Sequence, residues 1–335
     1  MQAAIYAPEG FALTGDERRF FGDAEPAGYI LFRRNCDNSE QMLRLTDSLR
    51  EISGRDDLPI LIDQEGGRVA RMRPPEWPAF PAAEKFANLY RVAPSSAIEA
   101  VRANARALGL MLRSVGVNVN ALPLLDVRQE GATDIIGDRA LGSEPMQVAA
   151  LGRSVLDGMA SARVIGIIKH MPGHGRALVD SHKELPIVTA SERELEIDLE
   201  PFERLASAPM GMTAHVVYEA WDSRRPASLS PTVIQDVIRE RIGFDGWLMS
   251  DDIGMEALEG DFASRAAGVV AAGCDVALHC SGKMDEMIAV AAAVPAMSTE
   301  GHERLGRAMA ALRIEPDHLD FAEEIAKRDQ LLALA

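Results

Sequence analysis

Eight short apolar runs recur along this chain, each separated from the next by a longer segment, and this alternation constrains the fold more than any other feature. The runs lie at 3–6 (AAIY), 28–32 (GYILF), 58–62 (LPILI), 117–121 (VNVNA), 164–168 (VIGII), 210–214 (MGMTA), 246–249 (GWLM) and 275–278 (DVAL). Most are continuously apolar, the pattern of strands covered on both faces in a parallel sheet. Between them, 38–53, 95–115, 144–162, 191–207, 230–241 and 255–272 carry apolar residues at helical spacing. Ser191 with Glu194 has the spacing of a capping box, and Ser230-Pro231 reads as an N-cap followed by proline in the first turn. Strand–helix alternation of this kind predicts a single-domain α/β fold, a (β/α)8 TIM barrel, with a doubly wound open sheet as the other architecture. No linker, repeat or low-complexity tract divides residues 1–335, so the whole chain is read as one domain. The segment 64–94, with Pro74, Pro75, Pro78 and Pro81, is expected to form a loop insertion above the sheet.

Composition removes several function classes. With 35 Lys+Arg against 51 Asp+Glu the net charge is -16, which disfavours nucleic acid as a partner because phosphate neutralisation needs a basic surface. Cys36, Cys274 and Cys280 are too few and too scattered for a disulfide framework or a Cys-rich zinc site. The N-terminus lacks the pattern of an export signal, and no run of about 18 apolar residues offers a membrane span. A soluble cytoplasmic protein is the expectation. Phosphate-loop, dinucleotide and serine-hydrolase motifs are missing from the sequence.

Ionisable residues collect just past the apolar runs, where a barrel places its site. Asp63-Gln64-Glu65-Gly66-Gly67-Arg68 follows 58–62, Lys169-His170 follows 164–168, His215 follows 210–214, and Ser250-Asp251-Asp252 follows 246–249. Asp252 is placed to cap a helix over 253–259, which leaves Asp251 directed into a pocket as a possible carboxylate nucleophile. Asp63, Arg71, Arg139 and Lys169 suit sugar hydroxyls and carbonyls, and Asp138 is placed to fix the guanidinium of Arg139. Trp77, Trp221 and Trp247 are candidates to stack on a sugar face, with core packing the alternative for Trp247.

Three of the seven His lie in KHMPGHGRALVDSH, residues 169–182. His170 and His174 have the i, i+4 spacing of zinc ligands, but Pro172 and Gly173 argue against a helix there. A metal site from His170, His174 and His182 with Asp180 or Asp251 stays open on spacing alone. The other reading is a glycine-hinged loop carrying a proton-transfer group, in which Asp180 orients His182 and raises its pKa. A plain turn capped by Asp180 fits the same spacing.

These pieces, taken together, resemble the bacterial β-N-acetylglucosaminidases of glycoside hydrolase family 3. The resemblance rests on GYILFRRN (28–35), LIDQEGGRVAR (61–71), IIGDRALG (135–142), IIKHMPGHG (167–175), DSH (180–182), MTAHVVY (212–218) and MSDDIGMEAL (249–258), in the family's order. Met171 stands where the family more often has an aromatic residue, and Ala7-Pro8-Glu9-Gly10 where it often has an Asp before Glu-Gly.

The resemblance implies a (β/α)8 barrel and a retaining mechanism with neither metal nor organic cofactor. It implies Asp251 as nucleophile, His182 as acid/base with Asp180 as its partner, and Asp63, Arg71, Arg139, Lys169, His170 and His215 around the sugar. The implied activity is release of terminal N-acetylglucosamine from muropeptides bearing 1,6-anhydro-N-acetylmuramic acid, in cytoplasmic peptidoglycan recycling. The implied partner is that small carbohydrate, with no nucleic acid or membrane, and a monomer or weak homodimer is expected. A β-glucosidase or chitobiase-like activity, a His-cluster metal hydrolase and a non-catalytic sugar-binding protein are the alternatives.

Overall fold

Each of the eight apolar runs becomes a parallel strand of one closed barrel. The structure, a computed structural model, describes residues 1–129, 131–132, 134–179, 181, 184–313 and 318–335. The barrel strands are Gln2–Tyr6, Pro26–Leu31, Ile60–Ile62, Val119–Asn120, Ile165–Met171, Met210–Thr213, Trp247–Asp252 and Val276–His279. Consecutive strands are neighbours, and the register Ala4↔Ala277, Ile5↔Leu278, Tyr6↔His279 joins the first to the last. Closure removes both sheet edges and buries the strands on both faces, which is why the runs lack polar alternation.

The expected helices form at Ser39–Ser53 (α2), Pro94–Ser114 (α4), Pro145–Ser161 (α5) and Glu192–Arg204 (α6). At the start of α6 the Glu194 carboxylate accepts the Ser191 N–H at 2.8 Å. Ser230 Oγ accepts the Val233 N–H at 3.2 Å ahead of Val233–Arg241, a wider π-type helix that ends with Ile242 N–H donating to Val237 at 2.8 Å. Gly15–Ala24 (α1), Ala83–Val92 (α3), Met284–Ala293 (α8), Thr299–Ala310 (α9) and Phe321–Leu332 (α10) were not expected. α1 had a local signal, since Thr14 and Glu17 make a reciprocal capping box. The α4 helix packs between α5 and α10.

Three expectations change. The segment 64–94 is not all loop, because it contains α3. The helix expected over 255–272 is confined to Phe262–Ala272 (α7), where Asp261 caps the Ser264 N–H at 2.8 Å. Residues 253–258 form turns instead. Asp252 therefore caps no helix; its carboxylate accepts the Gly254 N–H at 2.9 Å in a local turn. A small sheet of Ile187–Val188, Val217–Tyr218 and Asp222–Pro226 also lies outside the barrel. Among the described residues, no helix is long and apolar enough to cross a membrane. All three cysteines are buried and free.

Candidate active site

The C-terminal ends of the strands surround a cavity of about 270 Å³. Asp63, Arg71, Arg139, Lys169, His170 and Asp251 all line it. Asp180 and His182 lie outside the described residues. Parallel strands bring these groups together because every strand ends at the same rim, and each polar residue follows the apolar run that seats it.

Five side chains form an alternating ladder of charge. Arg71 Nη2 donates to Asp63 at 3.1 Å, and Lys169 Nζ bridges Asp63 at 3.1 Å and Glu65 at 2.8 Å. Arg139 then grips Glu65 through two hydrogen bonds of 2.8 Å each. Burial by itself would raise the Asp63 and Glu65 carboxyls. Lys169 outweighs that effect at both, with Arg71 at Asp63 and Arg139 at Glu65, so both are held below the usual carboxylate range. Burial likewise opposes charge on Lys169, yet Glu65 and Asp63 raise its pKa above the ordinary value. Three cations against two carboxylates leave donor capacity for a ligand, and the buried Arg71 Nε has no protein partner among the described residues.

Asp251, at the end of the seventh strand, accepts the Asp252 N–H at 2.8 Å. Burial would raise its pKa, but the imidazoles of His170 and His215, that N–H and Lys169 lower it. Its neighbour is pushed the other way: burial and the Asp251 charge bring Asp252 up to about 6. The site therefore holds one ionised carboxylate directly beside one that takes up a proton more readily.

Asp126 supports the histidines from beneath. Its fully buried carboxylate accepts the His170 N–H at 3.2 Å, His170 Nδ1 at 2.8 Å and the His174 N–H at 2.7 Å. A carboxylate accepting from Nδ1 leaves His170 Nε2 as the ring atom available elsewhere. His174 also lines the cavity, and its Nε2 lies 3.1 Å from Ser181 Oγ. Gly175 acts as a close-approach residue more than a hinge: a Cβ there would sit 1.9 Å from the Val127 carbonyl oxygen.

His215 does not line the cavity. It is fully buried, donating through Nε2 to the Asp252 carbonyl at 3.0 Å and accepting at Nδ1 from Ser228 Oγ at 2.7 Å. It steadies the turn after the seventh strand. Asp138 does not fix Arg139 either. It pairs with Arg68 at 2.8 Å, because the side chains of adjacent residues diverge and Glu65 offers Arg139 a bidentate partner. None of the three Trp reaches the cavity: Trp247 is core, Trp77 is buried beside Ser39, and Trp221 packs on Tyr218. The aromatic lining residue is Phe32, with Arg71 5.1 Å from its ring centroid.

Glu65 and Asp126 were given no role from the sequence. Glu65 had the same position signal as Asp63, just past the third strand, whereas the only sequence signal for Asp126, a carboxylate following the apolar residues 122–125, went unread. Among the described residues, no group of three or more His, Cys, Asp or Glu could hold a metal ion. The arrangement can bind a polyhydroxylated ligand through its ladder and present an ionised carboxylate to it.

Comparison with known proteins agrees with this chemistry. Residues 10–311 match the family described as Glycosyl hydrolase family 3 N terminal domain. A beta-hexosaminidase of Aromatoleum aromaticum is 39% identical over 280 residues, covering 81% of this chain and 77% of that protein. The structure of Neisseria gonorrhoeae NagZ in complex with N-trifluoroacetyl-D-glucosamine superposes with a TM-score of 0.86 at 30% identity, covering 100% of this chain and 98% of that one. A glycoside hydrolase family 3 beta-N-acetylglucosaminidase from Paenibacillus gives a TM-score of 0.84 at 28% identity, covering 98% of this chain and 66% of that one.

Proposed function

This chain belongs to glycosyl hydrolase family 3, and we propose that it is a retaining exo-β-N-acetylglucosaminidase. The observation that carries the reading is Asp251, a carboxylate kept ionised at a strand end and lining the same cavity as the Asp63–Lys169–Glu65 ladder. In the first step an Asp251 oxygen attacks the anomeric carbon. The bond to the aglycone breaks, and the leaving oxygen takes a proton from His182. In the second step His182 removes a proton from water as that water attacks the anomeric carbon, and the ester to Asp251 breaks with return of the carboxylate. Asp180 orients His182 in this scheme.

Arg71, Asp63, Lys169 and Arg139 hold the sugar, with His170 directed by Asp126. Lining residues Met212, Met255 and Leu278 suit the methyl of a 2-acetamido group. The physiological substrate in this proposal is a muropeptide carrying N-acetylglucosamine on 1,6-anhydro-N-acetylmuramic acid. The enzyme would act on it in the cytoplasm during peptidoglycan recycling, as a monomer or weak homodimer.

Hydrolysis of nitrophenyl N-acetyl-β-glucosaminide, beside the β-glucoside and an EDTA-treated sample, tests the activity. Release from the acetamido substrate alone, unaffected by chelator, is expected, followed by cleavage of anhydro-muropeptides. Equal or greater release from the glucoside would move the assignment to a β-glucosidase. Loss to chelator with recovery on added zinc would overturn the metal-independent mechanism.

A further inference from the structure

His174 is a buried histidine in the cavity wall to which the two-step mechanism gives no task. Its position is set at both ends. The backbone N–H is held by Asp126 at 2.7 Å, and the same carboxylate holds His170. The side chain is 3% exposed and reaches Ser181 Oγ at 3.1 Å, and Ser181 is itself 3% exposed. The His170 ring packs edge-on against the His174 ring with centroids 5.7 Å apart, and the buried His174 Nδ1 has no hydrogen-bond partner among the described residues. Among the described residues the one hydrogen bond of this imidazole is thus spent on a hydroxyl that stands, in sequence, between Asp180 and His182.

We propose that His174 is a positioning residue: by holding Ser181 against the barrel through their hydrogen bond, it sets where the general acid meets the leaving oxygen. The inference rests on His182 being that acid. Asp126 anchors the His174 backbone, Gly175 packs its chain against Val127, and the ring passes that fixed position on to Ser181. Consecutive Cα atoms are about 3.8 Å apart, so fixing Ser181 restricts where its two neighbours can be. Burial pushes His174 down to about 4, so the ring is neutral at pH 7 and offers one donor and one acceptor nitrogen, as a hydroxyl partner requires.

A tether of this kind predicts a leaving-group signature that a purely structural bond lacks. The kcat/KM of Ser181→Ala and of His174→Asn is expected to fall roughly 3- to 10-fold on phenyl N-acetyl-β-glucosaminide, the size of one neutral hydrogen bond. On the 2,4-dinitrophenyl glycoside, whose leaving group needs no proton, the change should stay within about twofold. The double variant should be no worse than the worse single one, and Ser181→Thr, which keeps the hydroxyl, should recover activity on the phenyl substrate. Equal losses on both substrates, additive losses in the double variant, or no recovery by Ser181→Thr would overturn the tether. Should His174→Asn fail to fold, the two Ser181 variants carry the test. His182→Ala is the control: a steep leaving-group dependence there with flat profiles for the Ser181 variants refutes the tether alone. A flat profile for His182→Ala itself removes the acid assignment, and the tether with it.

Discussion

Replacing Lys169 with Met should expose how tightly the charge ladder is balanced. Lys169 is 2% exposed and is the only cation shared by Asp63 and Glu65 among the described residues. Methionine is of similar length, so the change removes charge and hydrogen bonds more than volume. Removing one partner of a buried ion pair costs about 3–5 kcal/mol, because the remaining charge is left uncompensated in a poorly solvated place. Unfolding entropy of about 2.1 cal/mol/K per residue over 335 residues gives about 0.7 kcal/mol/K, so the melting temperature should fall by roughly 4–7 °C.

The pH dependence sharpens the argument. In the parent both carboxyls are depressed, so their contribution to stability is present above the unfolded carboxylate pKa and is lost as pH falls through the lower folded values. In the variant Arg71 still faces Asp63 and Arg139 still faces Glu65, so both carboxyls are held down less strongly than in the parent. Its deficit should then hold steady above the unfolded carboxylate pKa of about 4 and shrink as pH falls below it. Thermal unfolding followed by circular dichroism at several pH values measures this directly. A deficit that does not vary with pH, or a melting point equal to that of the parent, would refute the reasoning.

Other perturbations separate chemistry from architecture. Asp251→Ala should lower turnover by on the order of 10⁴-fold or more while leaving the melting temperature nearly unchanged; appreciable residual turnover would remove the nucleophile assignment. Asp126→Ala leaves two buried backbone N–H groups and His170 Nδ1 without their acceptor, and each orphaned group costs about 1–3 kcal/mol. Chemical denaturation should show a loss of roughly 3 kcal/mol or more together with reduced kcat/KM, and parent-like behaviour would refute the supporting role. The His174 pKa is depressed to about 4 by burial and by His170, so its neutral form contributes stability fully above about pH 6.5, lost as pH falls through about 4. Asp198 and Asp252, both raised to about 6, have the opposite slope in that window, so the measurement must be residue-specific. Imidazole NMR should find His174 still neutral at pH 5, and a titration midpoint near 6.5 would contradict its burial.

Local pattern was enough for the barrel itself. A parallel strand buried on both faces must be apolar on both, so eight runs could be read one by one, and the polar residue ending each run had to emerge at a common rim. That logic placed Asp63, Lys169, His170 and Asp251 around one cavity. It also placed the start of α6, because a capping interaction spans only three residues. Helices α8 to α10 were missed, and the helix expected over 255–272 was overextended at its start, where the chain turns back on itself through 253–258.

The partnerships inside the site belong to tertiary structure. Arg139 chose Glu65, 74 residues away, over the adjacent Asp138, and Asp138 instead met Arg68. Asp126 gained three donors only when the fifth strand and the loop after it closed over it. His215, which stands at the right rim position in sequence, was turned away from the cavity by Ser228 and the Asp252 carbonyl. Residue type and period set which groups reach the rim of a barrel. Which charge neutralises which is decided by distance and burial in three dimensions, because Coulomb and desolvation energies depend on neighbours that sequence order does not reveal.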